Sequence, residues 1–331
     1  MPPDRGRDRA TEHRLDELRE EAGRTGMVSG VGGPVPGGPI PVLPDPEAGG
    51  YYGQPILKPP VWTWQIGLYL FVGGTAGMSA VIALATLAAG QPRNLMRTAL
   101  GVGVAGALIS PCLLIWDLGR PARFLYMLRV FKWRSAMSVG VWTLVVFSGF
   151  VTGAFVLESA AVTLIASGVP PILHHTFVAT LVIGAAGSGA VLATYTGVLL
   201  GATVIPAWSS HHRLLPFHFG LVALGSAAAV LELLGYRIAP LNAIGLAVTL
   251  LETGVGLSVE LRRGGSSPNV LHTGLVGWLL RLSGVLTGPV AFLLRLARLV
   301  PLAASCLLLG ALVSRYGWIL AGRVSASRTI E

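Results

Sequence analysis

The sequence predicts an all-α integral membrane protein of about eight transmembrane helices, arranged as two four-helix bundles. Three observations carry that expectation. Of the 331 residues, 53% are hydrophobic and only 12% are charged, about half the charged share of a soluble domain. Apolar runs long enough to cross a bilayer, about 20 residues each, recur along the chain from Trp62 onward. The basic residues then fall almost entirely between those runs, where loops meet lipid headgroups and water.

The chain divides at about residue 60. Residues 1–25 carry charges of both signs, and Thr11 to Glu21 could form a short helix. Residues 26–60 are rich in Gly and Pro, which support neither helix nor sheet. Residues 1–60 are therefore expected to be an extended tail, either a plain leader or an arm lying over a partner. No secretory signal peptide is expected, because no apolar stretch follows the early arginines. The polytopic part, residues 61–331, reads as spans near 62–89, 98–116, 136–158, 176–205, 216–235, 240–260, 284–300 and 302–321. Arg295 and Arg298 interrupt the apolar run near the last two. Residues 269–282, with Trp278 and Arg281, read as an interfacial amphipathic helix or as the start of the seventh span.

Small residues mark the faces where spans should pack closely. Gly73, Gly74 and Gly77 do so on the first helix, Gly101, Gly103 and Gly106 on the second, and Gly184, Gly187 and Gly189 on the fourth. The run Gly101-Val-Gly-Val-Ala-Gly106 spells a dinucleotide fingerprint, but no strand precedes it, so helix packing is the better reading.

Charge placement sets an expected topology. Nine of the fifteen acidic residues precede residue 60, whereas seventeen basic residues follow it. The net charge of +9 thus reflects basic loops on a membrane protein, not a nucleic-acid surface. Most of the arginines gather on one side, which places that side and the N-terminus in the cytoplasm of a plasma-membrane protein. The densest basic run is Asp117 to Arg134. It reads either as a loop set among lipid phosphates or as a docking surface carried by Arg120, Arg123, Arg129, Lys132 and Arg134.

The sequence offers few metal ligands. Cys112 and Cys306 each sit inside an apolar span, where buried packing is the default. No Cys-x-x-Cys exists, so no metal centre or cluster is expected in this chain. His174, His175, His211 and His212 fall in expected loops and His218 opens a helix, so no facing pair is expected to hold haem. Glu252 is the deepest carboxylate, with Glu158, Glu232 and Glu260 nearer span ends. A charged carboxylate at mid-membrane costs about 2.5–3.5 kcal/mol. Glu252 is therefore expected to be protonated, paired or facing water. It serves either an interhelical hydrogen bond or proton transfer, the latter shared with Glu232 and Glu158.

The helix entry Val61 to Tyr69 is richer. Trp62 and Trp64 suit an interfacial aromatic belt. Gln65 and Tyr69 are four residues apart and share a helix face. Asp117, Arg120 and Tyr195 are expected on the same side of the bilayer. Polar groups at one depth on the first, second and fourth helices would line a pocket for an amphipathic headgroup, and a quinone suits such a pocket.

At these residues the chain resembles the NrfD/polysulfide reductase membrane-subunit (PsrC-like) family. The resemblance is carried by Trp64 to Gly77, Asp117-Leu-Gly-Arg-Pro-Ala-Arg-Phe124, Ser135 to Trp142, Tyr195-Thr-Gly-Val-Leu-Leu200 with Pro206 and Trp208, and Ala321-Gly-Arg-Val-Ser-Ala326. It covers roughly residues 60–328. It implies a haem-free membrane subunit of a multi-subunit oxidoreductase. Such a subunit docks a ferredoxin-like iron–sulfur protein, which serves a molybdopterin or other catalytic redox subunit. It would exchange electrons with menaquinone or ubiquinone, with proton transfer. Tyr195 would match a quinone-contacting tyrosine, Gln65 would replace a histidine of some relatives, and Asp117 and Arg120 would lie at the cluster-facing mouth. Trp64, Gln65, Tyr69, Tyr195, Asp117 and Arg120 are the expected quinone-binding set. The competing expectation is a transporter or a purely structural anchor, although no internal repeat of the transporter kind stands out.

Overall fold

The computed structural model describes residues 62–118, 126–261 and 269–327. The expected tail over residues 1–60, Arg120 and Arg123 lie outside the described residues. Among those described, eight helices are long and apolar enough to cross a membrane. They are α1 (Trp64–Ala88), α2 (Arg93–Leu118), α3 (Ala136–Ser159), α4 (Pro171–Gly201), α5 (Leu214–Leu233), α6 (Ala239–Leu261), α7 (Gly274–Leu296) and α8 (Val300–Ser327). Short helices at Ala161–Ala166, Pro206–Ser209 and Asn269–Leu271 sit between spans.

The helices sort into two bundles. In the first, α1 packs on α2 and α4, and α3 packs on both α2 and α4. In the second, α5 packs on α6 and α8, and α7 packs on α6 and α8. Helices α1 and α5 join the bundles and meet each other, and α5 also packs on α4. Contacts between helix ends show the alternation of direction. Thr63 meets Asp117 at one end, whereas Arg93 meets Glu158 and His175 at the other.

Small residues allow this packing, as the glycine pattern implies. A Cβ on Gly77 would land on the Gly189 carbonyl, and a Cβ on Gly189 would land on the Gly77 carbonyl. Helices α1 and α4 therefore touch backbone to backbone, and packing in the membrane rewards such close approach. Local signals set the helix ends. The Ser135 side chain accepts from the Ser138 N–H at 3.4 Å to cap α3. Gly90 takes φ +60° in the turn after α1, a conformation that costs glycine little. Pro171 stands in the first turn of α4, where its missing N–H is harmless.

Four expectations need correction. The seventh span runs over Gly274–Leu296 and not 284–300, so of the two readings of residues 269–282 the start of that span holds from Gly274 onward. Arg295 does not break that span, because its guanidinium is buried in an ion pair with Glu232. Helix α4 starts at Pro171 and ends at Gly201, which puts His174 and His175 in its first turns and not in a loop. Cys112 is exposed on the outer face of α2; in a bilayer that face meets lipid, so burial inside the protein was not required to shelter an apolar thiol.

Candidate functional site

The first bundle gathers polar side chains at the Thr63 end. The Thr63 hydroxyl lies in hydrogen-bond contact with the Gln65 amide oxygen and the Asp117 carboxylate. Gln65 is buried and Tyr69 follows it one turn deeper on the same face, as a spacing of four requires. Gly73, another turn along, leaves room beside the Tyr69 ring, and the Ser110 hydroxyl of α2 closes the same space. Ser110 is fully buried, and its oxygen has no hydrogen-bond partner among the described residues.

Tyr195 reaches this layer from α4. Its ring lies against the bare backbone of Gly140 on α3, in the space that a Cβ there would need. Tyr195 and Tyr69 are both buried and lie within electrostatic reach of one another. Trp142 of α3 contributes a buried indole N–H without a partner among the described residues. Four helices therefore deliver hydroxyl, phenol, amide and indole groups to one end of one bundle. The Ser110 hydroxyl and the Trp142 indole are buried without a partner among the described residues, a state that a buried polar group rarely keeps unless something else satisfies it.

Trp64 does not join this cluster. It is 51% exposed and meets Trp116 edge-on with centroids 5.5 Å apart, a rim position facing outward. Trp62 instead stacks on Trp208 at 5.1 Å. Trp208 is fully buried and donates from its indole to the Trp318 carbonyl at 2.7 Å. The Pro206–Trp208 motif thus anchors the α4–α5 connection on α8.

The described part of the basic segment is open. Arg129, Lys132 and Arg134 are exposed, and Tyr126, Phe131 and Trp133 beside them are more than half exposed. Arg134 stands 4.8 Å from the Trp133 ring centroid. Cations among exposed aromatic rings suit both a protein partner and lipid headgroups.

The carboxylates separate into three environments. Glu158 ends α3 with Arg93 3.8 Å away. Glu232, expected near the interface, is almost fully buried and held by two hydrogen bonds of 2.7 Å from Arg295. Asn242 accepts a third from Arg295 at 3.0 Å. Glu252 lies within 3.0 Å of His218 Nδ1, and His218 Nε2 meets the Ser314 hydroxyl at 2.8 Å. His218 does sit in the first turns of α5, but it is buried within the second bundle. Arg315, which the sequence expectations do not include, is fully buried on α8, donates to the Phe219 carbonyl at 2.9 Å and lies over the Phe219 ring. A lone arginine inside an apolar run was the signal that could have found it.

Eight apolar helices in two bundles, with polar groups turned inward, define a multi-pass membrane protein. The family model described as polysulphide reductase, NrfD, matches residues 55–259, and the chain belongs to that family. The matched region runs from before α1 to near the end of α6. A similar protein is the protein NrfD of Escherichia coli (strain K12), 34% identical over 86 residues. That stretch covers 24% of this chain and 27% of the relative's length. The family is one of membrane subunits of oxidoreductase complexes.

Proposed function

We propose that this chain exchanges electrons between a docked iron–sulfur subunit and the quinone pool, as the membrane subunit of an oxidoreductase complex. The observation that carries the reading is the burial of Gln65, Tyr69 and Tyr195 in one layer with Ser110, whose hydroxyl has no hydrogen-bond partner among the described residues. These groups fit a quinone. Its ring carbonyls need donors and its tail needs apolar surroundings, and three hydroxyls with one amide inside an apolar bundle supply both. Menaquinone and ubiquinone share that headgroup chemistry. When bound, the group supplies two-electron, two-proton redox chemistry.

The chain's own residues hold and orient. The Tyr69 and Tyr195 phenols and the Ser110 hydroxyl donate toward a carbonyl. The Thr63 hydroxyl is in contact with both the Gln65 amide and the Asp117 carboxylate, and the Gln65 N–H groups can donate. Asp117 connects through Thr63 to Gln65, a polar route from the basic segment to the buried layer. Arg129, Lys132 and Arg134, with Arg120 and Arg123, form the docking face for a ferredoxin-like subunit, behind which a molybdopterin or other catalytic redox subunit would stand. For proton transfer we assign Glu252, which borders a cavity beside His218. Glu232 is closed by Arg295, and Glu158 serves at the far end of the first bundle.

A tagged purification in mild detergent, with mass spectrometry of partners and extraction of quinone, tests the reading. It predicts an iron–sulfur subunit, a catalytic redox subunit and bound quinone. A chain that purifies alone and quinone-free from cells expressing the whole complex contradicts it.

A further inference from the structure

Between α6, α7 and α8 lies a cavity of about 500 Å³, lined by none of the residues of the Tyr69–Tyr195 cluster. Its inner end is polar and formed by His218, Glu252 and Ser314. Its walls are largely apolar, with Leu257, Leu280 and Val285 among them. Arg281 and Glu260, paired at 2.9 Å, line it nearer the Thr63 end.

Two features separate this space from a packing fault. Gly256 and Gly284 both line it, and a Cβ on either would meet no atom within 4 Å. Helix α7 also gives up regular α geometry over Leu286–Val290, where Gly288 has φ −102° and ψ −106° and Pro289 faces the cavity. Protein interiors are otherwise close-packed, and helix defects of this kind cluster at functional sites. The volume falls within the range of small-molecule sites.

Access and charge define the occupant. Leu257 and Val285 are 57% and 48% exposed, so the cavity reaches the lipid-facing surface of α6 and α7. Glu252 stands nine residues before the end of α6 at Leu261, about 14 Å at 1.5 Å per residue. A phospholipid keeps its charged headgroup at the interface and would offer Glu252 and Ser314 only a hydrocarbon tail. Glu252 is held within 3.0 Å of His218 Nδ1, and an uncharged head is the kind that reaches this depth without giving up a full shell of water.

We infer that this cavity binds a neutral lipid with a compact hydroxyl- or carbonyl-bearing head. The lipid enters sideways from the bilayer between α6 and α7. Its head meets Glu252 and Ser314, and its tail runs along Gly256 and Gly284. Quinols and diacylglycerols share that chemistry.

Photolabelling of the full chain in its complex, reconstituted in nanodiscs, tests this. The probes are an azidoquinone and a diazirine-bearing diacylglycerol, with labelled peptides mapped by mass spectrometry. The expected result is labelling of α6 and α7 by one probe, which names the source. Filling the cavity with Gly256→Phe or Gly284→Phe should lower that label at least tenfold and leave any label on α1 and α4 unchanged. Should either variant fail to fold, Gly284→Val makes the same comparison with less added volume. Absence of label on α6 and α7 with both probes would overturn the inference, as would follow if another segment of the chain filled the cavity. Label that the filling variants leave unchanged would overturn it too. Loss of label on α1 and α4 alone bears on the Tyr69–Tyr195 cluster and not on this cavity.

Discussion

The Tyr195 ring occupies the place beside Gly140 where any other residue would put its Cβ. Two motifs far apart in sequence, one opening α3 and one near the end of α4, are therefore one structural unit. Gly140→Val should push the phenol out of the layer it shares with Tyr69. Quinone-linked turnover should fall about tenfold, equivalent to about 1.4 kcal/mol. Because both changes act on the same group, combining Gly140→Val with Tyr195→Phe should cost little more than either alone. Steady-state assays of the assembled complex on the three variants check this.

The second bundle is locked by Arg295 and Glu232. Arg295→Ala would leave a carboxylate almost fully buried without its partner, a loss of about 3–5 kcal/mol. The double variant Glu232→Gln with Arg295→Gln should recover much of that, because no lone charge remains. Thermal unfolding in detergent, followed by size exclusion, separates the two outcomes.

That pair also shows why part of the architecture was legible in the sequence and part was not. Span number and order follow from apolar length alone, a property of each segment by itself. The seventh span was misread because Arg281 and Arg295 lower its apolar character, while their partners Glu260 and Glu232 lie 21 and 63 residues away. Pairings of that kind exist only after the helices pack. Gln65 and Tyr69 were legible as a face because a helix repeats locally. The placement of Tyr195 against Gly140, the union of His218 with Glu252 and the burial of Arg315 depend on which helices become neighbours, and local periodicity carries no such information. Trp64 is expected in the quinone-binding set with Gln65, yet neighbouring helix residues point about 100° apart, and of the two only Gln65 turns inward.

The contact of Gly77 with Gly189 predicts a steep penalty for side chains there. Gly77→Val and Gly189→Val should each lower stability by about 1–3 kcal/mol. The backbones themselves meet, so no rotamer change can relieve the clash. Gly187→Ala, where a Cβ meets nothing within 4 Å, should be close to neutral in the same thermal assay.

The exposed cations Arg129, Lys132 and Arg134 carry the docking part of the proposal. Replacing all three with Glu should weaken retention of the redox partner about tenfold at low ionic strength, with the difference narrowing as salt screens the charges. Co-purification across a salt series reads this directly. Unchanged retention would return the segment to the lipid-phosphate reading.

The proposed quinone chemistry rests on the Gln65–Tyr69–Tyr195 layer. Its most direct test is quinone-linked turnover of the assembled complex carrying Tyr195→Phe or Gln65→Leu, with partner content measured on the same preparations. Turnover should fall about tenfold in each variant, with the partner subunits still bound in wild-type proportion. Wild-type turnover in both variants would contradict it.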